Sequence, residues 1–167
     1  MTMFDPDMDG IDHINIYSRG KTELGRLLSN FSEAPFTYEP YGRFMSVEGF
    51  WYYYFSGCCH DELKNLSGYE AKKVGKKYNN EGHVITDNDK EIILEAIRCK
   101  LRQNKNILEL LSRCSLPFAH YYVYGTVDKP VVKYLHEYSW IVEEHERIRD
   151  LMIKKIVKEN LKNRIHE

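Results

Sequence analysis

Apolar side chains recur at i, i+3, i+4, i+7 and i+11 from Val47 through Phe50, Trp51 and Tyr54 to Cys58. At about 3.6 residues per turn this spacing draws them onto one continuous face, so the segment predicts a helix set against a core. Ser46 stands where an N-cap is needed, its hydroxyl suited to accept from a free first-turn amide. Glu48, Tyr52 and Phe55 fall on the neighbouring stripe, about a quarter turn away. A carboxylate is thereby expected at the margin of a buried aromatic face.

A second helical pattern runs from Asp87 to Gln103, with Ile93, Ala96, Ile97 and Leu101 on the inward stripe and Lys100 beside them. Ile107, Leu110 and Leu111 resume the period after Asn104-Lys105, and Tyr69 to Lys77 reads as a short basic helix. A long helix closes the chain from about Val132 or Tyr138 to Asn163, apolar at Ile141, Val142, His145, Ile148, Met152 and Ile156. Strand-like alternation is confined to His13–Tyr17, a hairpin around Phe36-Thr37-Tyr38 and Arg43-Phe44, and Phe118–Tyr124. The last of these puts His120, Tyr122 and Tyr124 on one face and Tyr121 and Val123 on the other. Leu24 to Phe31 gives mixed signals, and Gly82 to Asn88 reads as a polar loop. The expectation is an α+β, mainly α-helical single domain over residues 13–167. The acidic, Gly/Pro-punctuated residues 1–12 are expected to be a flexible N-terminal segment.

A chain of 167 residues can bury a core without disulfides. Its four cysteines, Cys58, Cys59, Cys99 and Cys114, lack a paired metal-ligand spacing, so neither metal nor cofactor is expected. With no signal peptide, long apolar run or lipidation motif, the expected location is the cytoplasm, away from membranes. The formal net charge of −1 gives no global basic field, so a phosphate-bearing ligand has to be met by local cations. Arg19, Lys21 and Arg26, followed by Ser29-Asn30, offer such a cluster, although loop charges are ordinarily just solvated. The 13 Tyr, 7 Phe and 2 Trp residues are either core or a stacking surface for a base.

Glu48 has two readings. Acidic residues favour the first turn of a helix, a contribution of about 0.3–1 kcal/mol. Flanked by Val47, Gly49, Phe50 and Trp51, it also suits acid–base work, because burial against rings raises a carboxyl pKa. Lys100 either snorkels its ammonium to water or carries it to an anion in a pocket. His120, on an aromatic strand, reads as a satisfied core histidine.

The segment Leu28-Ser29-Asn30-Phe31 with Pro35-Phe36, followed by Ser46-Val47-Glu48-Gly49-Phe50-Trp51, resembles the "LSNF…PF" and "S-x-E-h-x-[YW]" motifs of the NADAR (YbiA-like) family. Glu70-Ala71-Lys72-Lys73-Val74-Gly75 is similar to its "EAKRLGR" helix, and Ala96 to Asn104 to its "A-x-x-A-K-F-x-Q-N" segment. Four segments in order cover roughly residues 17–111 and point to a divergent branch. The family's C-terminal "W-G-x-G" pattern is absent, and Trp140, with Glu137 three residues before it, stands nearest to it.

The resemblance implies a NADAR-like fold and hydrolysis of an N-glycosidic bond at a ribose. By position, Glu48 matches the catalytic glutamate, and Asn30 and Lys100 match polar pocket residues. The expected substrate contacts are Arg19, Lys21, Ser29, Asn30, Trp51, Tyr52, Lys100, Tyr122 and Trp140. Two substrate classes are implied. One is ADP-ribose on guanine in DNA, whose removal reverses DarT-type toxins and would serve a phage in its host's cytoplasm. The other is a phosphoribosylamino-pyrimidine intermediate of riboflavin synthesis. A non-catalytic ADP-ribose or NAD reader and a structural docking protein stay open beside them, and the oligomeric state is left undecided.

Overall fold

The computed structural model describes residues 4–78 and 84–165. Six α-helices and six short strands form one α+β domain among the described residues. In chain order these are β1 (Ile14–Asn15), α1 (Glu23–Leu28), β2 (Phe36–Tyr38), β3 (Gly42–Phe44), α2 (Val47–Phe55) and α3 (Gly68–Tyr78). Then follow α4 (Asp87–Gln103), α5 (Lys105–Ser112), β4 (Phe118–Ala119), β5 (Tyr121–Gly125), β6 (Pro130–Tyr134) and α6 (Ser139–Ile165).

The strands pair as three separate ribbons. β2 and β3 form the expected hairpin, with Phe36 opposite Phe44. β1 runs parallel to β4, Ile14 facing Phe118 and Asn15 facing Ala119. Asn15 extends this pairing with its side chain, whose amide nitrogen donates to the Tyr121 carbonyl at 2.9 Å. Its amide oxygen accepts from the Tyr121 backbone N–H at 3.0 Å. The distant ends of the chain are thus joined beside the site. β5 and β6 form an antiparallel hairpin, so the closing helix starts at Ser139 and the earlier start at Val132 is corrected. Val131 and Val132 carry strand pairing there, which a helix from that point would forfeit.

α4 fits the reading of its stripe: Ile93, Ala96, Ile97, Lys100 and Leu101 are all buried. Its N-terminus is held by a capping box, Thr86 and Asp89 each accepting from the other's backbone amide. α2 turns slightly from expectation. Its buried residues are Val47, Gly49, Phe50 and Tyr53, while Trp51 and Tyr54 are only half-buried. The core lies between α2 and α4 and the β2–β3 hairpin, where Phe36, Phe44 and Phe50 pack edge and face. In α6 the charged Glu144 and Arg149 are buried beside Ile141 and His145, whereas Ile156 is 40% exposed. Burial of those charges follows from their partners. Glu144 accepts from Arg98 at 2.9 Å, and Arg149 donates to the Leu116 carbonyl at 2.6 Å.

The N-terminal segment departs from the loose reading once past Met1 to Met3, which lie outside the described residues. Phe4 stacks on His13, and its carbonyl accepts from the Tyr134 hydroxyl at 2.6 Å. Asp9 is buried and accepts from the backbone amides of Asn15 and Lys21, each at 2.9 Å. A carboxylate that satisfies two buried amides ties this segment to the turn after β1. Of the polar loop expected at Gly82 to Asn88, Gly82 and His83 also lie outside the described residues, and Asp87 already opens α4. No helix among the described residues is long and apolar enough to cross a membrane.

Candidate active site

The first turn of α2 is fixed from three sides. The Ser46 hydroxyl accepts from the Gly49 amide at 3.0 Å and donates to the Leu66 carbonyl at 2.8 Å. The Glu48 amide donates to the Asn30 carbonyl at 2.9 Å. Gly49 presses this turn against neighbouring backbone, since a Cβ there would stand 2.5 Å from the Leu63 carbonyl oxygen. With its backbone held in this way, Glu48 points its carboxyl into a cavity of about 390 Å³, within the roughly 300–1,000 Å³ of small-molecule sites.

Rings make a large part of the cavity wall. Tyr17, Phe31, Trp51, Tyr52, Tyr69 and Tyr122 line it, joined by Tyr124 and Tyr138. Tyr17 packs on Tyr122 with centroids 5.3 Å apart, and Phe31 meets Tyr69 edge-on at 5.2 Å. Tyr52 is seated over Gly75 of α3, where any Cβ would fall inside its ring. The polar lining consists of Glu48, Arg19, Lys72, Ser29, Asn30, Ser18 and His120.

Burial pushes the Glu48 carboxyl up to about 7, against the opposing pull of Lys72 and Lys76. Burial first, and then the Glu48 charge, pushes the phenols of Tyr52 and Tyr122 up to about 12. These hydroxyls therefore stay protonated as donors. Arg19 and Lys72 form no ion pair with any described residue, so two cations in the wall are left for a ligand. The site thus holds a carboxyl poised between its two protonation states, a ring-lined slot and free positive charge. That set can stack a base, bind phosphate and move one proton near neutral pH.

Of the residues expected from sequence, Glu48, Arg19, Ser29, Asn30, Trp51, Tyr52 and Tyr122 come together here. Three do not line the cavity. The Lys21 ammonium lies 3.7 Å from Asp7 on the exposed surface. Trp140 backs the wall from behind, stacked on Trp51 at 6.3 Å with its indole N–H donating to the Glu137 carbonyl at 3.0 Å. Lys100 is fully buried, and its ammonium donates to the Ser29 carbonyl at 3.0 Å. Burial lowers its pKa to about 7. Arg26 lines a shallower neighbouring groove, its guanidinium donating to the Gly20 carbonyl at 2.9 Å. Of the cations expected at the ligand, Arg19 alone lines the cavity, and Lys72 supplies the second cation.

Lys72, Tyr17, Tyr69, Tyr138 and His120 were not singled out from sequence as site residues. Lys72 lies in the "EAKKVG" segment, and His120 shares a strand face with Tyr122 and Tyr124, so the signals for both were present. Among the described residues no group of three or more His, Cys, Asp and Glu side chains is placed to hold a metal ion. No protein-family profile, curated protein or solved structure matches the chain.

Proposed function

We propose that this cavity hydrolyses a ribosyl C–N bond, and that its substrate is ADP-ribose carried on guanine in DNA. The observation that carries the reading is Glu48, its carboxyl near neutrality inside a ring-lined slot that also offers two unpaired cations. The resemblance of four ordered segments to the NADAR family supports the same chemistry and brings a NADAR-like fold with it.

Breaking such a bond builds positive charge on the ribose. Ionised Glu48 stabilises that charge and accepts a proton from the attacking water as its oxygen bonds to the anomeric carbon. The C–N bond breaks as the new C–O bond forms; the water's proton stays on Glu48 and then returns to solvent, while the departing nitrogen takes up a proton from solvent. Tyrosine and tryptophan rings stack on the bases, while Arg19 and Lys72 meet the diphosphate. Few phosphate contacts are then required of the DNA itself, which accords with the net charge of −1.

Single-stranded DNA carrying ADP-ribosylated guanine, incubated with the protein, is expected to release ADP-ribose. Glu48→Gln is expected to lower the rate by about 10²–10⁴-fold. Saturable ADP-ribose binding without release would identify a non-catalytic reader. Failure of both would remove ADP-ribose as the ligand and make phosphoribosylamino-pyrimidines the substrates to test.

A further inference from the structure

His120 occupies the break between β4 and β5, where strand alternation turns it toward the cavity together with Tyr122 and Tyr124. Its Nδ1 lies 2.6 Å from the Ile16 carbonyl oxygen. A carbonyl only accepts, so Nδ1 carries the hydrogen, and in a neutral ring Nε2 is then a bare acceptor. Burial lowers the His120 pKa below its ordinary 6.5, which keeps the ring neutral. Nε2 has no hydrogen-bond partner among the described residues. It is also not sealed in protein, a condition that among the described side chains belongs to His145 Nε2. The free edge of His120 is therefore a fixed, neutral acceptor open to the cavity.

Such an atom does not suit phosphate, which offers only acceptors. It needs a hydroxyl or N–H. Tyr122 says which part of the ligand is near. Its ring meets His120 edge-on at 5.7 Å, and its phenol feels the Glu48 charge. Glu48 and His120 thus flank one ring. In the glycosidase reading Glu48 stands at the anomeric carbon, and the nearest donor on the ligand is the adjacent sugar hydroxyl. DNA is itself full of 2′-deoxyribosyl C–N bonds, so a hydrolase working on it has to recognise that hydroxyl.

We propose that His120 Nε2 accepts a hydrogen bond from the ribose hydroxyl next to the scissile carbon and so selects ribosyl over 2-deoxyribosyl ligands. This rests on the glycosidase reading. Leaving a desolvated acceptor unmatched costs affinity, and discrimination of roughly 10–100-fold is expected.

The test measures binding of ADP-ribose, and of its analogue lacking the 2-hydroxyl of the terminal ribose, to the whole protein. His120→Asn keeps a donor for the Ile16 carbonyl and removes the cavity acceptor. His120→Gln places an acceptor oxygen near the Nε2 position. Wild type is expected to prefer ADP-ribose by roughly 10–100-fold, with the preference lost in His120→Asn and partly regained in His120→Gln. Binding of both ligands by wild type without preference, or a preference that survives in His120→Asn, overturns the assignment while leaving the glycosidase reading intact. Binding of neither ligand by wild type overturns the assignment together with ADP-ribose as the ligand of the cavity.

Discussion

The Lys100 ammonium donates to the Ser29 carbonyl at 3.0 Å from behind the cavity wall. The next residue, Asn30, accepts from the Glu48 amide at 2.9 Å. The Lys100 ammonium and the backbone amide of Glu48 thus hold adjacent carbonyls of one segment, and Lys100 acts on the site through that backbone.

Lys100 and Arg19 are therefore expected to behave differently when replaced. Lys100→Met leaves the Ser29 carbonyl buried without its donor and is expected to cost about 1–3 kcal/mol of stability, offset in part by removal of a buried charge. Arg19 is exposed, and Arg19→Ala is expected to weaken ADP-ribose binding several-fold with an unchanged melting temperature. Calorimetric binding beside thermal melts separates the two, and equal losses of affinity at constant stability would place Lys100 at the ligand after all.

Glu48 is expected to hold the fold below its optimum at alkaline pH. Its folded pKa of about 7 lies above the ordinary 4.5, so the folded state binds this proton more tightly than the unfolded one. The contribution is present below about 4.5 and is lost as pH rises toward about 7. Glu48→Gln removes the buried charge and is expected to stabilise the protein by about 2–3 kcal/mol at pH 8. Urea denaturation at pH 5 and pH 8 reads the difference, which is expected to shrink at the lower pH.

In the proposed glycosidase reading the same ionisation sets the rate profile. With Glu48 acting in its ionised form, kcat/KM for release of ADP-ribose is expected to rise tenfold per pH unit below about 7 and level off above it. A flat profile from pH 5 to 8 would remove Glu48 as the titrating group.

Gly75 offers a way to disturb the site without touching a polar group. A methyl at this position falls inside the Tyr52 ring, so Gly75→Ala forces the ring or α3 to move, at about 1–3 kcal/mol. Tyr52 belongs to the cavity wall, so weaker ligand binding is expected alongside the lower melting temperature. Gly57, where a Cβ meets nothing, has a positive φ that makes it a poor control. Exposed Lys73 serves better, with Lys73→Ala expected to change neither property.

The sequence carried the longer helices and the location of Glu48 because both rest on local chemistry, whereas α1 fell in the stretch of mixed signals. Ser46 caps α2 by accepting from an amide three residues on, and periodicity marked the α4 core face except for Cys99. The direction taken by Lys100 was not legible, because a buried ammonium needs a partner and that partner, Ser29, lies 71 residues away. Trp140 entered as the residue nearest to the family's C-terminal Trp pattern, and such a pattern does not say whether a ring lines a wall or backs it. His120 had the right strand face. Its free acceptor edge became visible only when Ile16, 104 residues away, was seen to hold the other ring nitrogen.

The parallel pairing of β1 with β4 also sets a timetable for synthesis. Asn15 waits for Tyr121, 106 residues later, which at about 5–20 residues per second is an interval of roughly 5–20 s on the ribosome. Until then the Ile16–Arg19 wall of the cavity has nothing to close against. A nascent chain can therefore carry a finished α2 and its glutamate long before it has a closed cavity, and ligand binding is expected to arrive late and all at once.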